Sequence, residues 1–93
     1  MAMLFAWDEV KNKSNRKKHG VWFEEAQSVF DDPFGRLFRD DSGSEERYIL
    51  VGVSGRSGTL VVVHCYQESN DVVRIISARK ATKRERGFYE KGL

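Results

Sequence analysis

The stretch from Arg74 to Glu90, RIISARKATKRERGFYE, holds most of the side chains that could do chemistry. Arg74, Arg79, Lys80, Lys83, Arg84 and Arg86 carry positive charge, and the rings of Phe88 and Tyr89 follow. Basic groups interleaved with aromatics suit a single-stranded nucleic acid, with phosphates on the cations and bases on the rings. Spacing of three and four puts Lys80, Lys83 and Arg84 on one side of a helix. Simpler readings stand beside this one. A charge run on a terminal helix also makes an ordinary solvated face. An arginine inside an apolar strand, as Arg74 is, also suits a buried pair with a carboxylate.

Other chemistry finds little support. Cys65 is the single cysteine, and His19 and His64 have no partner at ligand spacing, so neither a metal nor a cofactor is expected. GVSGRSG lacks the lysine and helix of a phosphate-binding loop. His64 and Cys65 are neighbours on a strand and point to opposite faces, which rules out a cysteine nucleophile activated by that histidine. His64 itself reads either as an acid or base or as a packed core histidine.

The net charge of +2 conceals an asymmetry. Residues 1–20 and 74–93 hold twelve Lys/Arg against four Asp/Glu, whereas residues 21–73 hold four against ten. If the fold joins the two ends, one face is basic and fits a polyanion.

The elements that must position these groups follow from pattern. DEVKNKSNRKKH (8–19) reads as a helix with Asp8 as N-cap and Gly20 past its end. Val10 is its one clear apolar residue, so it needs a tertiary anchor, which LFAW just before it can supply. WFEEAQSVFD (22–31) repeats Phe23, Ala26, Val29 and Phe30 at helical spacing and stops at Asp32-Pro33. RYILVGVS (47–54), TLVVVHCY (59–66) and VVRIISAR (72–79) read as strands joined by the turns GRSG and ESND, and GRLFRD (35–40) as an edge strand. Simple alternation sets Val73, Ile75, Ser77 and Arg79 on one face of the last strand and Val72, Arg74, Ile76 and Ala78 on the other. From Ala81 the pattern is helical again, with Thr82 or Ser77 as its cap and Glu85 spaced from Thr82 as in a capping box. The expected architecture is α+β: two N-terminal helices, a three- to four-stranded antiparallel sheet and a C-terminal helix.

At 93 residues the chain suits one domain spanning 1–93, with a modest core. No internal disulfide can form, which points to a reducing compartment. No apolar run reaches the ~18 residues of a membrane span. The start MAMLFAWDEV is too short and too soon acidic for a signal peptide, so a cytoplasmic protein is expected.

Joined in order, WDEVKNKSNRKKHGVWFEEAQSVFDDP, ERYILVGVS and VVRIISARKATKRERGFYE resemble the BrnT toxins of type II toxin–antitoxin systems. The most specific pieces are K-x-x-x-N-x-x-K-H-G, from Lys11 to Gly20, and R-I-I-S-A-R-x-A-x-x-x-E, from Arg74 to Glu85. The match is direct at Asn15, Lys18, His19, Phe23, Ala26, Asp32, Arg47, Gly52, Glu85 and Tyr89 among others. The resemblance implies a RelE-like fold and a ribonuclease that inhibits translation. It also implies a BrnA-type antitoxin with a ribbon–helix–helix domain, a hetero-oligomer with that antitoxin, and contact with operator DNA only through it.

A ribonuclease without a metal can use the RNA's own 2′-hydroxyl as nucleophile. Arg79 and Arg74 are then the candidates to stabilise charge on the phosphoryl oxygens, because guanidinium offers paired donors and stays charged. His64, Tyr89 and Glu85 are the candidates for proton transfer, and His19 is a further imidazole. Lys18, His19, Lys80, Lys83, Arg84 and Arg86 would hold the RNA backbone. A non-catalytic nucleic-acid-binding module, or a subunit that only docks an antitoxin, would show the same basic face.

Overall fold

The computed structural model describes residues 3–43, 46–67, 69 and 71–91. Five strands form one sheet in the order β1-β5-β4-β3-β2. They are β1 (Leu4–Ala6), β2 (Arg36–Asp40), β3 (Arg47–Ser54), β4 (Gly58–Gln67) and β5 (Val72–Lys80). Helices α1 (Glu9–His19) and α2 (Phe23–Gln27, continued by a 3-10 turn over Ser28–Asp31) precede β2, and α3 (Lys83–Lys91) follows β5. The turn at 68–71 and the loop at 40–46 lie partly outside the described residues.

The expected architecture holds in outline and needs two corrections. The sheet is mixed, because LFA is not merely an anchor for α1: it pairs in parallel with β5, Leu4 opposite Val72 and Ala6 opposite Arg74. Three residues are too few to show a strand's alternation. The second correction is that the last strand does not alternate simply. His64 faces Ile75 and Val63 faces Ser77, so Ile76 has no partner on β4. This bulge shifts the parity of everything after it. Val73, Ile75 and Ala78 all enter the core beneath α2, while Arg74 and Arg79 share the opposite face.

Helix α1 begins where Asp8 accepts a hydrogen bond from the Val10 N–H at 2.8 Å. It ends where Gly20 takes a left-handed φ of 76° and donates to the Arg16 carbonyl. Its anchor is a pair of buried asparagines rather than an apolar stripe; Val10 is 76 % exposed. The Asn12 side-chain oxygen accepts from the Phe23 N–H at 2.7 Å, and its amide donates to Glu9 and Glu24. Asn15 donates to the carbonyls of Val21 and Ala78 and accepts from the Ala78 N–H. β1 pairs with β5 only as far as Arg74, so the Asn15 amide acts as a one-residue substitute strand for the β5 edge beyond it. Buried polar groups cost free energy unless partnered, and here the partners also fix where α1 sits.

The sheet has two covered faces. On one, Val21, Phe23, Ala26 and Val29 pack on Leu50, Leu60, Val62, Val73, Ile75 and Ala78. On the other, a smaller cluster joins Ala81 and Tyr89 to Val51 and Val61, with Phe38 and Ile49 against it. Helix α3 therefore covers only part of its face.

Candidate active site

Strand register lays out the α3 face as rows. Arg36 pairs with Val51, Val51 with Val61, and Val61 with Arg79. The next row runs Phe38, Ile49, Val63 and Ser77. In the row below, Asp40 is opposite Arg47 and Cys65 is opposite Arg74. Four arginines from three strands thus surround an apolar middle. Ile76 makes this possible, since without the bulge Arg74 and Arg79 would point to opposite sides of the sheet.

Arg79 is held rigidly. Its Nη1 and Nη2 donate to Oε1 and Oε2 of Glu85 at 2.7 and 2.8 Å. Glu85 Oε1 also accepts from the Thr82 N–H, and the Glu85 N–H donates to Thr82 Oγ1, completing the capping box that starts α3. One carboxylate therefore begins the helix and fixes the guanidinium. The hydrogen bonds from Arg79 hold the Glu85 carboxyl down at about 2, outweighing burial, against an ordinary 4.5. The same pairing raises Arg79 further above its usual range.

A depressed carboxyl contributes stability above its unfolded pKa and loses it as pH falls through the folded value. The Glu85 contribution is thus present above about pH 4.5 and fades toward about pH 2. The two side chains are 42 % and 32 % exposed, so solvent screening limits the pair to about 1 kcal/mol. Melting temperature should fall across this window, and Glu85→Gln should flatten part of the fall. Parallel acid profiles for the two proteins would show that the pair contributes nothing.

Tyr89 ties the far end of α3 down. Its hydroxyl donates to Asp32 Oδ2 at 2.5 Å, and the ring is buried. Asp32 also accepts from the N–H groups of Val53 and Phe34. Burial works to raise the Asp32 carboxyl, but these three donors outweigh it and leave it below its ordinary value. The Asp32 hydrogen bond, with burial, pushes Tyr89 up to about 12. Gly52 leaves room for this link: a Cβ there would come within 2.8 Å of Val29 Cγ1 and 3.1 Å of Asp32 Oδ2. Arg36 is a third tie, donating from Nη1 to the Phe88 carbonyl at 3.0 Å.

The other expected site residues separate into groups. Lys83, Arg84 and Arg86 are exposed around α3, whereas Lys80, exposed at the end of β5, stands opposite Leu60 on the other face of the sheet. Lys18 and His19 are exposed on the last turn of α1 and, with Lys11, line a shallow cavity of about 180 Å³ that reaches Ile76 and Ser77. The two basic ends of the chain do meet along β5. His64 is elsewhere: it is fully buried on the opposite face, enclosed by Phe30, Tyr48 and Tyr66 at ring distances of 4.8, 6.2 and 5.2 Å. Its Nδ1 lies 3.3 Å from the Val62 carbonyl, which can only accept, so Nε2 accepts from the Tyr66 hydroxyl. Burial lowers its pKa and keeps the ring neutral. His64 is therefore a core residue, with no path to a ligand on the arginine face.

Arg36 and Phe38 belong to the site and are absent from the sequence-based candidates. Their signal is the period-two alternation of RLFRD, which sets both on one face. Among the described residues, no group of three His, Cys, Asp or Glu side chains converges as metal ligands would.

No curated protein matches the chain. The crystal structure of the Brucella abortus ribonuclease toxin BrnT has the same fold, with a TM-score of 0.69, 21 % identity, and coverage of 88 % of this chain and 100 % of that one. Residues 7–85 match the family described as the ribonuclease toxin, BrnT, of type II toxin–antitoxin systems. That match takes in the capping-box glutamate, the arginine it holds and the helix that closes the β5 edge, and it establishes that the chain belongs to the BrnT family of ribonuclease toxins.

Proposed function

We propose that this chain is a single-domain, metal-independent endoribonuclease that acts in the cytoplasm and inhibits translation by cutting RNA. A BrnA-type ribbon–helix–helix antitoxin neutralises it in a hetero-oligomer and brings the pair to operator DNA. The observation that carries the catalytic reading is Arg79, clamped by Glu85 at the rim of an arginine-cornered, partly open sheet face. The clamp uses two of the five guanidinium N–H donors, and a third makes a long contact of 3.4 Å to the Lys80 carbonyl. Two are left for phosphoryl oxygens.

In the proposed reaction the 2′-oxygen attacks the neighbouring phosphorus in line. A bond forms between that oxygen and phosphorus, and the bond to the 5′-oxygen breaks. The 2′-hydroxyl proton leaves and the 5′-oxygen gains one. Arg79 stabilises the charge that grows on the phosphoryl oxygens, and Arg74 holds a neighbouring phosphate from the same face. Glu85, ionised far below neutrality, is a positioning residue. Tyr89 keeps its proton and anchors α3. Of the expected proton carriers, His19 is left exposed beside Ser77. Lys18, Lys80, Lys83, Arg84 and Arg86 supply backbone affinity that falls with salt.

The test is to incubate purified protein and chelator with an RNA, its 2′-O-methyl counterpart and DNA of the same sequence. Cleavage of the unmodified RNA alone is expected. Cleavage of all three refutes the 2′-hydroxyl mechanism, and cleavage that appears only when the chelator is omitted refutes metal independence. Binding without cleavage makes the chain a non-catalytic module.

A further inference from the structure

Between α3 and the sheet lies a cavity of about 370 Å³ that no side chain of the described protein fills. Phe38, Ile49, Val51, Val61 and Phe88 wall it, and Arg79, Arg84 and Glu85 stand at its mouth. Phe38 and Phe88 meet at 5.3 Å with their planes 41° apart, so the rings splay instead of closing the space. The Arg36 guanidinium lies 4.1 Å from the centre of the Phe88 ring.

We infer that this cavity is a base subsite: it takes one nucleobase of a single-stranded RNA while Arg79 holds the adjoining phosphate. The inference rests on the ribonuclease reading and adds what the site recognises. Its walls ask for a flat apolar surface, and its rim of Arg36, Arg79 and Arg84 asks for an anion attached to that surface. A nucleotide meets both demands. The volume is at the low end for ligand pockets, which fits one base and not two.

The wall chemistry also sets selectivity. The apolar walls offer no donor or acceptor to read a base edge. The one carboxylate at the mouth, Glu85, is already committed to Arg79 and Thr82. Recognition is therefore by stacking on Phe38 and Phe88, which every base can do and purines do best. The subsite fixes where the chain is held while leaving sequence choice loose.

The experiment uses free protein and a non-cleavable 2′-O-methyl oligonucleotide carrying 2-aminopurine at each position in turn. Quenching at a single position is expected, with roughly ten- to hundred-fold weaker binding when that position is abasic. Phe88→Ala should lose the quench and bind comparably more weakly, and Phe88→Tyr should restore both. Phe88 is 43 % exposed, so its truncation should leave the melting curve nearly unchanged. No quenching at any position, or an equal loss wherever a base is removed, overturns the subsite. Parallel cleavage of unmodified RNA separates the two claims. Cleavage without quenching defeats the subsite alone, and quenching without cleavage defeats the ribonuclease reading alone.

Discussion

Arg79→Ala should lower RNA cleavage at least ~10²–10³-fold, the usual cost of losing one well-aimed donor to a developing oxyanion. Fold should survive, because the Arg79–Glu85 pair is half-exposed and such pairs contribute little. Helix α3 keeps its ties from Tyr89 to Asp32 and from Arg36 to Phe88. Arg79→Lys should not recover the rate, since a point charge cannot be clamped by a carboxylate and still present paired donors to phosphate. Glu85→Gln gives the complementary measurement. It leaves the guanidinium in place but loosens it, so kcat should fall more than affinity for RNA. Single-turnover cleavage beside thermal melts resolves these effects. Wild-type rates in Arg79→Ala would remove this arginine from the reaction.

Asn15→Ala should cost about 3–5 kcal/mol of folding stability. The change deletes three hydrogen bonds and strands the Val21 carbonyl together with both polar groups of Ala78. Each buried group left unsatisfied costs roughly 1–3 kcal/mol. Against the ~5–15 kcal/mol typical of a small domain, that is a large fraction. Asn15→Asp should do no better, because it keeps the acceptor but loses the two donated bonds. Urea denaturation measures this directly, and a loss below about 1 kcal/mol would mean that α1 is held by other means.

These two residues mark what could be read from the chain and what could not. The caps at Asp8, Gly20 and Thr82–Glu85 are local patterns and are found as expected. Strands β3, β4 and β5 have strong apolar patterning, and their expected bounds match to within a residue. Non-local pairings were not legible. Nothing in LFA reveals its partner on β5, and nothing in RIISAR marks Ile76 as the residue without one. Alternation alone placed Arg79 on the core side, and only the register moves it beside Arg74. Asn15, Asp32, Gly52 and Tyr89 were legible as a resemblance to the family, but their roles are architectural: one closes an edge and three fasten α3. The clamp on Arg79 shows the intermediate case. The spacing of Thr82 and Glu85 announces a cap, yet the same carboxylate also reaches back to the preceding strand.

The unpaired Ile76 makes β5 tolerant of loss at one point. Its neighbours already face consecutive residues of β4, Ile75 opposite His64 and Ser77 opposite Val63. Excising that residue alone would close the ladder while leaving Ala78 beneath α2 and both guanidinium-bearing positions on their shared side of the sheet.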